Sequence, residues 1–451
     1  MNWIFVRLNY LKKIKLIFER FFFYKTKSLF SRMAHVSNLA NTLIPSEIIK
    51  LGNEINDRIR QGATIYNFTI GDFDPSIFPI PQLLEDEIVN AYRNKKTNYP
   101  PANGILELRQ ALSIWLKNKA GLDYDANSFL ISGGGRPLIY AVYRTICDKG
   151  EKVIYPVPSW NNNHYTHFVE GEHICIETTE ASNFLPTAET LIPHFEEATL
   201  LALCSPLNPT GTVFSKEQLS KICEAVLAEN KRRGPDKKPL YILYDQIYWT
   251  LTFGDSVHYD PVSLYPELKE YTIYIDGISK AFCATGVRVG WAFGPSLIID
   301  KMKGILSHIG AWSPIAEQFA TANYLNQPTI VDSDLEKTKA AIYQRLQLMH
   351  EGFQSLKNEG FAVNSIEPMA AMYLTIQFDL KGKKTSEGNE LKTTQDMSGF
   401  LLQKAALAVV PFAAFGADRE SNWYRLSVGT CKLETIPAMF NQLKNALSEL
   451  K

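Results

Sequence analysis

A lysine, a carboxylate, a phenol, an amide, an indole, an arginine and a glycine turn stand just beyond short apolar runs of this chain. Asp245 and Tyr248 follow Leu240–Tyr244, and Ser279 and Lys280 follow Thr272–Asp276, with Arg288 eight residues further on. Asn208-Pro-Thr-Gly211 follows Leu200–Ser205, Trp160 follows Lys152–Tyr155, and Gly133-Gly134-Gly135 follows Ser128–Ser132 and opens a helix. Each type suits one task. A glycine turn at a helix N-terminus offers free N–H groups and a positive dipole end to a phosphate. Arg288 adds a bidentate charge partner for the same group. Trp160 can stack on a planar ring, and Asp245 can hold a proton on a ring nitrogen. Lys280 can form a Schiff base with a carbonyl.

A phosphorylated pyridine aldehyde meets all of these demands. That molecule is pyridoxal 5'-phosphate, whose chemistry uses a lysine Schiff base and an Asp partner for the pyridine nitrogen. Taken singly, each residue has an ordinary explanation. Lys280 alone reads as a solvated lysine, Trp160 as core, Arg136 as a surface residue whose backbone alone matters, and Arg425 as half of an ion pair. The glycine run lacks the G-x-G-x-x-G spacing of a dinucleotide turn. His164, His167 and His308 read as surface or satisfied core groups, and no metal site is expected.

The elements that must position these residues alternate. The runs Ser128–Ser132, Lys152–Tyr155, His173–Ile176, Leu200–Ser205, Leu240–Tyr244, Thr272–Asp276 and Arg288–Phe293 read as strands. Helical patterns such as Pro137–Cys147 and Lys216–Asn230 separate several of them. Short buried strands alternating with helices imply a mostly parallel sheet covered on both faces, with ligands at the carboxyl ends of the strands. Near Asp334 the rhythm changes. A long helix over Asp334–Asn358 precedes strand-like Ala371–Phe378 and Tyr424–Val428 and helices at Thr394–Leu407 and Glu434–Leu450. This predicts a smaller α+β domain at 326–451, a large domain at 72–325 and an N-terminal segment at 33–71 joining the small domain. Lys231–Pro239 and Lys381–Asp396 read as polar loops.

Composition narrows the partners. Apolar residues are 45% and charged residues 21%, the balance of a folded globular chain. The 47 basic residues equal the 47 acidic ones, which argues against nucleic acid or a membrane surface, since both attract a basic excess. Six scattered cysteines without a C-x-x-C pair suggest reduced thiols and a cytoplasmic setting. Residues 1–32 differ. Arg7, Lys12, Lys13, Lys15, Arg20, Lys25, Lys27 and Arg32 face Glu19 alone. The charges interrupt any apolar run too often for a signal peptide. The segment reads as a basic amphipathic helix, a transit peptide or an overlong gene model. The favoured reading is a start at Met33.

The motifs resemble those of fold-type I, class I/II aminotransferases. They are Tyr99-Pro-Pro-Ala-Asn-Gly104 with Leu108-Arg109, Asn208-Pro-Thr-Gly211, Tyr244-Asp245 with Tyr248, Ser279-Lys280-Ala-Phe-Cys-Ala-Thr-Gly286-Val-Arg288-Val-Gly290-Trp291, and Tyr424-Arg425-Leu-Ser427. They occur in the family's order across roughly residues 40–445. The resemblance implies a mostly parallel seven-stranded α/β sheet between helices, plus a smaller α+β domain, in a homodimer with shared active sites. It implies that Lys280 carries the pyridoxal phosphate and shuttles the substrate's α-proton in a ping-pong reaction between an L-amino acid and a 2-oxo acid. Asp245 would keep the pyridine nitrogen protonated, and Asn208 and Tyr248 would bond the ring oxygen. Trp160 would stack on the ring. Gly134, Gly135, Arg136, Ser279 and Arg288 would hold the phosphate, and Tyr99 would reach the phosphate of the neighbouring subunit. Arg425 would pair with the substrate carboxylate, with Asn208 and Gly71 lining that pocket. Asn208–Pro209 would be a cis peptide.

Three departures qualify the resemblance. Gly277 stands where many relatives carry a phosphate-binding hydroxyl. Asn163 or His164 takes the place of a residue that supports the ring-binding aspartate. Gly304–Pro314 contains no arginine, only His308, which puts one family route to aspartate recognition in doubt. The same cofactor site also serves lyases and synthases. A further alternative is the effector-binding half of a transcription regulator, for which residues 1–32 are too short to hold a DNA-binding module.

Overall fold

The computed structural model describes residues 36–44 and 47–451 of the chain. The basic segment 1–32 lies outside the described residues. Asn38–Thr42 is one short helix, N-capped by the Ser37 hydroxyl. Residues 47–451 belong to a separate unit, which holds every site residue discussed below.

Seven strands form its central sheet. They are β1 (Phe129–Ser132), β2 (Lys152–Val157), β3 (Glu172–Glu177), β4 (Ala198–Cys204), β5 (Tyr241–Asp245), β6 (Thr272–Gly277) and β7 (Gly290–Phe293). The spatial order is β1-β7-β6-β5-β4-β2-β3. Only β7 runs antiparallel, against both β1 and β6. The seven apolar runs of the sequence all fall in this sheet.

The sheet forms because its strands are apolar on both faces. Along β4, Leu201 and Leu203 join one buried cluster while Leu200 and Ala202 join another. β5 repeats this with Ile242 and Tyr244 against Leu243, and β6 with Tyr274 against Ile273 and Ile275. This period-two division demands a cover of helices on each side. At about 1.5–3 kcal/mol per large buried side chain, that burial holds the sheet without help from the site residues at its edge.

Among the helices, α1 (Gly135–Ile146) packs on the sheet directly after β1, and α2 (Lys216–Arg233) begins at the Ser215 cap. α2 runs three residues into the basic stretch read as a loop. The reason is local: Arg232 and Arg233 both bond Glu229, one turn back, and Gly234 at φ 67° ends the helix.

The second sheet is smaller. Its strands are β8 (Val363–Ser365), β9 (Tyr373–Phe378), β10 (Val410–Pro411) and β11 (Trp423–Ser427), in the order β10-β11-β9-β8, all antiparallel. The 31-residue helix α3 (Pro328–Asn358) leads into it, six residues longer at its start than its apolar spacing showed. Tyr66–Asn67 pairs in parallel with Leu407–Ala408, and Ser427 N–H donates to the Phe68 carbonyl. The loop read over Lys381–Asp396 ends earlier, because Thr393 and Asp396 form a reciprocal capping box that starts a helix at Thr394.

One close approach sets the edge where the site lies. A Cβ on Gly290, at the start of β7, would stand 2.6 Å from the Gly134 carbonyl carbon and 2.9 Å from the Gly135 nitrogen. The glycine turn and β7 therefore touch backbone to backbone. Gly290→Ala is expected to destabilise the protein by about 1–3 kcal/mol, the usual cost of overpacking. A thermal midpoint unchanged from the parent would show that this contact is not held.

Candidate active site

Lys280 rides on a single helical turn, Ile278–Ala281, directly after β6. The turn is anchored at its root. Asp276 accepts hydrogen bonds from the Gly277 N–H at 2.7 Å and from Trp249 Nε1 at 2.9 Å. A Cβ on Gly277 would meet the Val289 carbonyl at 2.9 Å and the Gly290 Cα at 3.0 Å, so no side chain fits there. This explains why a hydroxyl is missing at that position. Ser279, on the same turn, is buried.

The Lys280 amine donates to the Gly71 carbonyl at 2.7 Å. Surrounding protein pulls its pKa down to about 8, while Asp72 pulls the other way. Asp72 in turn accepts from the Thr285 hydroxyl at 2.6 Å, which ties the N-terminal segment to the loop after the lysine. At the end of the adjacent strand β5, Asp245 accepts the Ile247 N–H at 3.1 Å. Burial pushes its carboxyl up to about 6, and that single backbone bond offsets the rise only in part.

A second group of residues adjoins the lysine. Tyr248 and Tyr373 share a hydrogen bond of 2.7 Å between their hydroxyls. Arg425, 1% exposed, donates to Asn208 Oδ1 at 3.1 Å and to the Thr69 carbonyl at 2.7 Å. Its guanidinium lies 4.8 Å from the Tyr373 ring and 4.9 Å from the Phe415 ring. A Cβ on Gly71 would come within 3.0 Å of the Tyr373 hydroxyl and 3.5 Å of Arg425. Lys280, Gly71, Tyr248, Asn208 and Arg425 thus lie close together.

The glycine turn forms the third group. Gly134 has φ 98°, a conformation that glycine adopts freely, and a Cβ there would strike Arg288 Nη2 at 2.2 Å. Arg288 donates to the carbonyls of Thr285 and Gly133, at 2.6 and 2.7 Å, and so clamps the lysine loop to the turn. No side chain caps α1, so the first N–H groups of this 12-residue helix keep their donors for another partner. Arg136 sits 5.3 Å over the Trp160 ring, and Trp160 lies 6.2 Å from Phe415. Tyr99 is 81% exposed and stands edge-on to Trp312, whose neighbour Ala311 accepts the Gly133 N–H.

One expectation is corrected. Asn208–Pro209 is not a cis bond; among the described residues the cis bonds are Val157–Pro158 and Ser205–Pro206. Either X–Pro bond of the turn can adopt the cis form, and tertiary context chooses. Here the chain turns directly at the end of β4, where Ser205 N–H still bonds the Asp245 carbonyl and Leu207 and Gly211 close the following turn. The polar run after Trp160 also contributes to the fold. It is Asn162 that is built into the fold, accepting from Tyr143 and donating to Ser159. Burial lowers the His164 pKa, and the nearby His167 and Arg136 act in the same direction.

Sequence reading missed Tyr373 and Asp276. Tyr373 lay inside a run recognised only as a strand, and its hydroxyl becomes meaningful once β9 is set against Tyr248. Asp276 is the last polar residue of a strand, and burial raises its carboxyl well above the usual range.

These features fit pyridoxal phosphate. A carboxyl lifted by burial lacks the countercharge that a pyridine nitrogen brings. The lysine is poised to react as a free amine, and an uncapped helix start faces an arginine-clamped glycine turn. Fold and site together define a pyridoxal-phosphate enzyme of fold type I. The model of the family "Aminotransferase class I and II" matches residues 63–443, and the chain belongs to that family. An aspartate aminotransferase of Bacillus sp. (strain YM-2) is 28% identical over 384 residues, covering 85% of this chain and 92% of the relative. A probable aspartate/prephenate aminotransferase of Rickettsia felis is 28% identical over 403 residues, covering 88% and 93%. The crystal structure of the aspartate aminotransferase from Rhizobium meliloti superposes with a TM-score of 0.84 at 25% identity, over 92% of this chain and all of that one. The protein is an aminotransferase that uses pyridoxal phosphate, and the lyase, synthase and regulator readings are not favoured. Among the described residues no helix is long and apolar enough to cross a membrane.

The lowered Lys280 pKa has a direct consequence. Its ammonium form cannot attack an aldehyde, and its neutral form grows as pH rises through about 8. Cofactor-free protein mixed with pyridoxal phosphate should therefore load faster as pH rises and level off above that value. Lys280→Ala should develop no visible band at any pH. A loading rate that keeps climbing to roughly pH 10, as for a solvated lysine, would show that the amine is not desolvated.

Proposed function

We propose that this enzyme moves an amino group between an L-amino acid and a 2-oxo acid in two half-reactions, with Lys280 as the proton-transfer base. The observation that carries this reading is the buried Lys280 amine, its pKa lowered to about 8 by desolvation, near the buried guanidinium of Arg425. Pyridoxal phosphate, when bound, supplies the electron-accepting ring. Lys280 attaches it and, once free, moves the proton of the substrate α-carbon. Asp245 holds a proton at the ring nitrogen, and its buried carboxylate gains the cationic partner that it lacks. Asn208 and Tyr248 donate to the ring oxygen, and Trp160 covers the ring face. Gly134, Gly135, Arg136, Ser279 and Arg288 hold the phosphate.

Arg425 pairs with the substrate α-carboxylate. It is pre-set for this by Asn208, Thr69 and two aromatic rings, so little rotamer freedom is lost on binding. Gly71 keeps that pocket open, since any side chain there would press on Tyr373 and Arg425. This orientation fixes the α-carbon relative to the lysine and works as positioning rather than bond chemistry.

The enzyme works as a cytoplasmic homodimer in amino acid biosynthesis. Exposed Tyr99, beside the glycine turn, would reach the phosphate held by a second copy. Residues 72–325 form the large domain and 326–451 the small one, with which Tyr66–Asn67 of the N-terminal segment pairs. Aspartate is the first donor to test, on the names of the relatives. A donor read by side-chain charge would have to be met by a group other than an arginine in Gly304–Pro314.

Adding aspartate to the loaded enzyme should bleach the visible band, and a 2-oxo acid should restore it. Persistence of the band with every amino acid, or release of ammonia with pyruvate, would overturn transamination. Arg425→Gln should raise KM roughly 10–150-fold, since a hydrogen bond to a charged group contributes about 1.5–3 kcal/mol. A KM within twofold of the parent would remove Arg425 from the carboxylate site.

A further inference from the structure

Tyr373 is the one phenol of the site that no motif announced. It opens β9, in register with Ser427, while Arg425 lies two residues further along the partner strand, opposite Thr375. It is 2% exposed, and it is enclosed on three sides. Gly71 lies against its hydroxyl, Tyr248 bonds that hydroxyl at 2.7 Å, and the Arg425 guanidinium lies 4.8 Å from its ring. The two rings meet edge to face, with centroids 5.6 Å apart.

Two phenols in one hydrogen bond leave a choice of donor. The bond uses one of the two hydroxyl protons, and the other is left for a third group. If Tyr248 donated to Tyr373, it would have no proton for the cofactor. The surroundings decide the direction. The Arg425 guanidinium stands 4.8 Å from the Tyr373 ring, closer than the Lys280 amine at 5.9 Å from the Tyr248 ring, and its charge opposes the rise that burial imposes on both phenols, more strongly on Tyr373, which makes the Tyr373 O–H the more acidic of the pair.

We propose that Tyr373 is a positioning residue whose hydroxyl donates to Tyr248, leaving the Tyr248 proton aimed at the cofactor's ring oxygen. This rests on the reading of Tyr248 as a donor to that oxygen. The arrangement links the substrate-carboxylate site to the ring by a second route beside the Arg425–Asn208 bond. When a carboxylate neutralises Arg425, Tyr373 becomes a weaker donor, and Tyr248 responds.

The test is the pH titration of the visible band of the loaded enzyme. A donor to an anionic oxygen favours the deprotonated form, so losing it raises the midpoint. Tyr248→Phe is expected to raise the midpoint. Tyr373→Phe, which keeps the ring under Arg425 and removes one oxygen, should raise it by a smaller amount, about half to one pH unit, the size of one net hydrogen bond. The double variant should titrate like Tyr248→Phe alone, because Tyr373 acts only through Tyr248. Replacing Tyr373 by 3-fluorotyrosine, a stronger donor of nearly the same shape, should lower the midpoint. A role in packing alone would not produce that opposite shift, and this arm stands even if the Phe variant binds cofactor poorly. A Tyr373→Phe midpoint equal to the parent's, beside a raised one in Tyr248→Phe, would overturn the inference and leave the Tyr248 reading intact. Additive shifts in the double variant would also overturn it. If neither single variant moves the midpoint, the Tyr248 reading falls and the inference falls with it.

Discussion

The desolvated amine of Lys280 is the constraint on which the rest of the site depends. An ammonium group in water keeps its proton at neutral pH and cannot attack a carbonyl. Burying it in a protein-lined recess brings its pKa down to about 8. That placement has structural requirements. The turn carrying the lysine must be rooted, and Asp276 roots it by accepting from both the Gly277 N–H and the Trp249 indole. The loop beyond it must be held back, and Arg288 ties it to the glycine turn while Thr285 ties it to Asp72. The close contact of Gly290 with Gly134 belongs to the same system, because Arg288 and β7 both press on that turn.

The two sheets divide the work. The central sheet is held by apolar burial on both faces and presents its polar residues at the carboxyl edge of its parallel strands. Asp245 and the lysine turn come from neighbouring strands there, and Asn208 from the turn after the next. The smaller sheet supplies Arg425 and Tyr373 from paired strands β11 and β9. Hydrogen bonds between the sheets join these groups: Arg425 to Asn208, and Tyr373 to Tyr248.

The burial of polar groups here follows one rule. A buried charge persists only where a partner holds it or where a ligand will complete it. Arg425 has a side-chain amide, a carbonyl and two aromatic faces. Asp245 has a single backbone N–H and a raised pKa, which is the state of a carboxylate arranged for a cationic partner. Among the described residues Arg425 has no carboxylate partner, and its Nε, also buried, bonds nothing.

All seven central strands and the placing of Lys280, Asp245, Tyr248, Asn208 and Gly134 at their ends were legible in the sequence. Apolar runs bounded by turn residues and doubly buried by necessity leave little freedom in where a strand ends. The family's motifs, being local strings, carried the same residues. Other features depend on distant contacts and left no local mark. The choice of Ser205–Pro206 as the cis bond turned on how the chain leaves β4. Tyr373 looked like any strand tyrosine until β9 lay beside β11 and its hydroxyl met Tyr248. Sequence by itself determined which residue types stand at the strand ends, because periodicity and turn chemistry act over a few residues. Only the tertiary structure decided which of them share a proton, because a hydrogen bond depends on distances of tenths of an ångström between residues more than a hundred positions apart.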